Sequence, residues 1–246
     1  MEPAFVLHRW PYQDSSLLVE LLSAQQGRFR VIAKGAKRPK SKWRSILQPF
    51  TPLVVQAKGR GELLTLSAAE ASDQAMNLQG HALYSGFYVN ELVQRLTTPH
   101  QAVDELFHDY HETLSMLAQT SHVEPVLRRF EWQLLCHLGH GFDWHADDQQ
   151  QPFLAEQTYQ FRPERGFFIA TPKALDNSAA ETPLTPYSAA EFLMTGADIT
   201  RIAAFEQLDQ RLLNLLKRIM RSALQPYLGD KPLRSRQLFT QFKDKS

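Results

Sequence analysis

The sequence predicts an α+β protein: an N-terminal β-barrel, then an α-helical domain with a small irregular β-hairpin insertion. Between residues 4 and 69, five short apolar segments alternate with turn residues, the spacing of a small barrel or sandwich. After residue 79 the apolar period lengthens from 2 to 3.6. A third observation concerns charge. The stretch 27–44, GRFRVIAKGAKRPKSKWR, carries eight basic residues and no acidic one. Widening it to 21–61 gives ten cations, still without an acid, in a 246-residue chain of formal net charge +1. A local cationic field on a nearly neutral chain points to a polyanionic partner.

The strand segments are AFVLHRW, SSLLVELL, GRFRVIAKG, LVVQAKG and ELLTLSAAE, with Gly27, Pro39, Gly59 and Gly61 among the punctuation. Alternation from Gly27 to Lys34 puts Phe29, Val31 and Ala33 on one face and Arg28, Arg30, Ile32 and Lys34 on the other. Gly35–Arg44 is too polar and too Pro-interrupted for a core strand, so an exposed basic loop is expected. Residues 70–79 connect a first domain, 1–79, to a helical domain, 80–246. Leu83, Phe87, Leu92, Val93 and Leu96 recur at helical spacing over 81–97. Val103, Leu106, Phe107, Tyr110, Leu114 and Leu117 do so over 101–119. A third helix starts at Ser121, with Glu124 completing a capping box and Pro125 in the first turn, and stops at Gly139 and Gly141. Its stripe is Leu127, Phe130, Leu134 and Leu138.

An insertion at about 140–186 breaks the pattern, and within it QTYQF and GFFIATP pair across an RPER turn. A short helix is expected near Ser188, with Glu191 in its capping box. A long one runs from about Ala203 to Pro226 on Leu208, Leu212, Leu215, Leu216, Ile219 and Leu224. Lys217, Arg218 and Arg221 sit toward its C-terminal end, where the dipole favours cations. Gly229 is its stop.

Lysine and arginine neutralise phosphates and release counterions. The expected nucleic-acid contacts are therefore Arg28, Arg30, Lys34, Lys37, Arg38, Lys40, Lys42 and Arg44, with Phe29 and Trp43 as stacking groups for bases. A small barrel with a cationic face is the arrangement of an OB-fold. A merely solvated loop is the plainer reading, and ten cations without an acid argue against it. Anionic lipid is a rival polyanion, but the stretch lacks the amphipathic helix that accompanies membrane binding. His108 with His111, and His137 with His140, have the i, i+3 spacing that can share a metal, which nine histidines also produce by chance. Phosphate-cradling, nucleophile-elbow, HExxH and paired-carboxylate motifs are all missing. The expectation is therefore no enzyme, no cofactor and no metal. On the third helix, Arg128, Arg129 and Trp132 suit a peptide site offering a cation and an apolar anchor. They equally suit a core tryptophan beside surface arginines. Cys136 is the only cysteine, so no internal disulfide is expected. No apolar run approaches the roughly 18 residues of a membrane span, and the N-terminus lacks a secretory pattern. A cytoplasmic protein is expected.

The run AFVLHRWPYQDSSLLVELLSAQQGRFRVIAKGAKRPKS resembles the start of RecO, a family of bacterial recombination mediators. LQPFTPL at 47–53, LYSGFYVNEL at 83–92, LRRFEWQLLCHLG at 127–139 and YLGDKPLRSRQLF at 227–239 fit the same family in order. The resemblance implies an N-terminal OB-fold joined to a helical domain. It implies binding to single- and double-stranded DNA, ATP-free annealing of complementary strands and association with the nucleoid during repair. The implied partners are the acidic C-terminal tail of single-stranded-DNA-binding protein and RecR, and indirectly RecA, which they help load. Carried over, Arg128, Arg129, Trp132 and Leu135 become candidates for holding the tail. Many members carry a four-cysteine zinc module after the third helix. Residues 140–170 here hold no cysteine, so the chain resembles a metal-free branch, with the hairpin as the module's remnant. The alternative function is an OB-fold RNA-binding accessory factor without an annealing role.

Overall fold

The structure is a computed structural model that describes residues 1–61, 63–102, 104–171, 193–229 and 231–235. Five strands appear where the apolar segments predict them: β1 (Glu2–Tyr12), β2 (Ser16–Ser23), β3 (Gly27–Ala33), β4 (Leu53–Lys58) and β5 (Leu63–Ala71). They close a barrel in the order β1-β2-β3-β5-β4. All pairings are antiparallel except β3 with β5, which are parallel in register Arg30↔Leu63. A parallel neighbour requires a crossover, and the connection between β3 and β5, which begins with the basic stretch and includes a short helix and β4, supplies it. Val6, Val19, Leu21, Phe29, Val31, Val55 and Leu66 fill the interior. A four-residue helix, α1 (Trp43–Ile46), places Trp43 at the same core, and Leu47 follows it there. Each such large apolar side chain contributes roughly 1.5–3 kcal/mol by leaving water.

The register of β1 shifts between Val6 and His8. Phe5 opposes Leu22 and His8 opposes Glu20, so one extra residue resets the alternation. The bulge sends His8 and Trp10 to the outer surface. Arg9 turns the other way and donates to the carbonyl of Leu47 (2.6 Å).

By contacts the chain forms two compact units, Met1–Val123 with Asp230–Ser246, and Glu124–Gly229. In the first, α2 (Gly80–Leu96) and α3 (Asp104–Gln119) accompany the barrel. Buried Asn90 on α2 donates to the carbonyl of Leu7 (2.9 Å) and accepts from the hydroxyl of Tyr110 on α3 (2.7 Å). Phe5 packs edge-on against Tyr110, ring centroids 5.1 Å apart. Gly27 sits at φ +64°, where a Cβ would stand 2.0 Å from the carbonyl oxygen of Gln101, so no larger residue fits.

The second unit holds α4 (Val123–His137) from Glu124 onward, β6 (Thr158–Arg162), β7 (Gly166–Ile169), β8 (Met194–Thr195), α5 (Gly196–Ala203) and α6 (Gln210–Leu228). β6 and β7 form the predicted hairpin, and β8 adds a third strand beside β6 that the sequence reading did not anticipate. The hairpin is held by aromatic packing: Phe142 contacts Trp144, Phe161 and Phe167 with centroids 4.9, 4.7 and 5.6 Å apart. Such pairs contribute about 0.5–1.5 kcal/mol beyond burial.

The helix expected from about Ala203 begins only at Gln210, and a separate helix, α5, ends at Ala203. Phe205 (φ 53°) and Gln207 (φ 50°) take left-handed conformations between the two. Asp209 then caps α6 by accepting from the N–H of Leu212 (2.9 Å), leaving Leu208 outside the helix. Val103 and the helix expected at Ser188 and Glu191 lie outside the described residues.

Candidate nucleic-acid interface

The crossover loop is pinned at both ends. Ala36 and Trp43 are buried against the barrel core. Between them the backbone folds through successive turns, Arg38 N–H to Gly35 O (3.1 Å), Ser41 to Arg38 (3.0 Å) and Arg44 to Ser41 (3.2 Å). Lys37 N–H donates to the carbonyl of Ser15 in the β1–β2 turn (2.9 Å). From this frame Lys34, Lys37, Arg38, Lys40, Lys42 and Arg44 all project into solvent. Lys42 Nζ lies 4.8 Å from the centroid of the Trp43 ring.

Arg28 is placed differently. Its side chain is 9 % exposed and pairs with Glu20, 2 % exposed, at 2.7 Å. It also donates to the hydroxyl (3.1 Å) and carbonyl (2.6 Å) of Thr97 beyond α2. Alternation put it on the outer face correctly, but that part of the face is covered. Phe29 and Trp43, expected as stacking groups, are core residues at 1 % and 9 % exposure, so neither offers its ring to a base.

Register assembles a different surface. Across the outside of β1, β2, β3 and β5, one row runs His8, Glu20, Arg30, Leu63 and the next Trp10, Leu18, Ile32, Thr65. Arg30 is 51 % exposed, pairs with Glu20 at 3.1 Å and holds its guanidinium 5.5 Å from the Trp10 ring centroid. His8 lies against the same ring at 4.3 Å. Burial lowers the pKa of His8 and outweighs Glu20 and the backbone hydrogen bond at Arg9, which raise it, while the charge of Arg234 adds to the lowering, so the imidazole favours its neutral form. Half-buried Trp10 is thus the outward-facing aromatic group, with Arg30 over its ring. Sequence reasoning missed it, because uninterrupted alternation from Val6 sends Trp10 into the core and only the bulge brings it out.

On α4 the four candidates separate. Leu135 is fully buried, and Arg128 pairs with buried Glu131 at 2.8 Å. Arg129 and Trp132 instead line an open cavity of about 280 Å³ with Trp144, His145, Ala203, Ala204 and Phe205. The Trp132 indole donates to Phe142 O (2.8 Å), and the buried indole N–H of Trp144 has no acceptor among the described residues. His111 packs on Phe5 (5.5 Å), and His140 stacks on Tyr227 (4.2 Å). Among the described residues no group of three or more His, Cys, Asp or Glu is arranged to hold a metal, and none of their helices is long and apolar enough to cross a membrane.

A closed five-stranded barrel with β3 beside β5, followed by helices, is an OB-type barrel in an α+β protein. Residues 1–75 match the family described as recombination protein O N terminal, and residues 78–237 its C-terminal counterpart. Similar curated proteins include the DNA repair protein RecO of Idiomarina loihiensis, 48 % identical over 96 % of each chain. That of Haemophilus influenzae is 44 % identical over 98 % of this chain and 96 % of its own. The chain belongs to the RecO family.

Proposed function

We propose that this protein serves DNA repair and recombination as a mediator that acts without catalysis of its own. Residues 1–79 carry the main surface for single- and double-stranded DNA; the site for protein partners lies within residues 80–246. Lys34, Lys37, Arg38, Lys40, Lys42 and Arg44 screen strand phosphates, Arg30 extends that field, and Trp10 stacks a base. Arg28 supports the surface from beneath. By lowering repulsion between two strands the barrel promotes annealing without ATP. The observation that carries this reading is the acid-free loop of six exposed cations, with Arg30 set over the half-buried Trp10 on the barrel face.

The partner reading rests on the α4 cavity. Arg129 meets a carboxylate, and Trp132 and Phe205 hold an apolar side chain. The ligand with that chemistry is the acidic C-terminal tail of single-stranded-DNA-binding protein. RecR and, indirectly, RecA loading complete the proposal, at the nucleoid in the cytoplasm.

The test is ATP-free annealing of complementary strands coated with single-stranded-DNA-binding protein, run beside a coat protein lacking its tail. Tail-dependent annealing is expected. Annealing of bare strands alone removes the partner site, and none in either case removes the DNA reading. Equal affinity for matched RNA, without annealing, would favour an RNA-binding role.

A further inference from the structure

The end of the described chain returns to the unit that contains the barrel. Glu91, on α2, accepts the backbone N–H of Arg234 on one carboxylate oxygen (2.9 Å). Its other oxygen accepts the N–H and the hydroxyl of Ser235, at 2.8 and 2.6 Å. Hydrogen bonds to an ionised acceptor are the stronger kind, and buried Leu233 anchors the segment beside them. Ser235 is buried too, whereas the Lys231 and Arg234 side chains are exposed. The clasp holds Arg234 by its backbone alone, which leaves the guanidinium for another partner.

The place of the clasp matters. Asn90, the neighbour of Glu91, donates to the carbonyl of Leu7, the residue before His8. The segment is therefore fastened where α2 meets the start of the outer-face rows. The charge of Arg234 reaches His8, whose protonation it disfavours. Glu20 acts on His8 in the opposite sense, and so does the backbone hydrogen bond at Arg9. Glu20, however, is engaged by Arg28 and Arg30. Exposed Arg234 and Arg30 thus come to this end of the face from two separate stretches of chain, where a phosphate would meet both.

We propose that the C-terminal segment 231–235 is part of the nucleic-acid interface, with Arg234 contacting strand phosphate and Glu91 acting as the positioning residue that presents it. This rests on the reading of the barrel as the DNA-binding element. A strand lying along His8 and Trp10 then passes from the basic loop to residues 231–235.

The experiment is binding of labelled oligothymidylate by the full chain, measured against salt, for R234A, R234K, E91A, R234A/E91A and K37A/R38A/K40A. Loss of one phosphate contact on a single strand flattens the log–log slope by about 0.7 and weakens binding about fivefold at 0.1 M salt. That result is expected for R234A and for E91A, with R234K retaining the parent slope. The double variant should be no weaker than R234A, because Glu91 acts through Arg234. Removal of Arg234 should also raise the pKa of His8 by NMR titration. If R234A binds like the parent while K37A/R38A/K40A weakens, the segment is not in the interface and only this inference falls. If none of the variants weakens, the barrel reading falls with it. Additive losses in R234A/E91A would overturn the positioning role.

Discussion

Replacing Arg28 with alanine should unfold this protein more readily and leave the salt dependence of DNA binding alone. Glu20 is 2 % exposed, and its carboxylate meets Arg28 at 2.7 Å and Arg30 at 3.1 Å. Removing one member of a buried pair costs about 3–5 kcal/mol when the remaining charge has no other partner. Arg30 stays and is half solvated, so the lower end applies, about 3 kcal/mol. The two hydrogen bonds to Thr97 add about 1 kcal/mol between them. The expected loss is therefore about 4 kcal/mol, read from urea unfolding of the full chain. Replacing the pair together, as E20L/R28L, should recover much of it, since apolar substitutes for a buried ion pair are often neutral or better. A loss below about 1 kcal/mol, or a salt slope flattened by about 0.7 in a stable R28A, would refute the structural role and return Arg28 to the DNA-contacting set.

K37A/R38A/K40A should keep the parent unfolding midpoint, because all three side chains are exposed, and should flatten the single-strand salt slope by about 2. W10A should weaken single-strand binding by about 1–3 kcal/mol, with W10F retaining part of it in the same titration. R129A and W132A should each weaken binding of a synthetic acidic tail peptide by fluorescence anisotropy, by about 1–2 kcal/mol, while R128A acts chiefly on stability. Arg211 holds the Asp198 carboxyl below its ordinary pKa, with Thr195 assisting. The stabilisation is present above the ordinary carboxylate pKa and is lost as pH falls through the depressed folded value. D198N should therefore lose about 1 kcal/mol at neutral pH and show a shallower acid limb in urea titrations from pH 7 to 2.

The barrel strands were legible because their apolar segments are short and separated by Gly and Pro, and because β3 alternates cleanly from Phe29 to Ala33. The exposed loop was legible from charge alone. Which ring faces a ligand was not. Trp43 sits among cations in sequence, yet its burial depends on α1 folding back on the barrel end. Trp10 faces outward because of a one-residue bulge that leaves no compositional mark. Arg28 and Arg30 share a face and differ in fate only because Thr97, sixty-nine residues away, covers one of them. On α4, i, i+4 spacing paired Arg128 with Trp132, whereas the cavity takes Arg129, the residue at i, i+3. The break before α6 did have a signal, Asp209 standing three residues before Leu212 as an N-cap, but the continuous leucine stripe masked it.

The Asn90 side chain bears on how this protein breathes. Its amide is buried and satisfied by β1 on one side and α3 on the other. Any opening that lifts α2 from the barrel strands the carbonyl of Leu7, the amide of Asn90 and the phenol of Tyr110 at once, and burial already pushes the Tyr110 pKa far up. Buried polar groups without partners cost about 1–3 kcal/mol each. Such openings are therefore rare compared with fraying of a surface turn. The slowest-exchanging amides of β1, α2 and α3 should then lose their protons to solvent together, as one cooperative unit that runs across the point where the sequence changes from strand to helix.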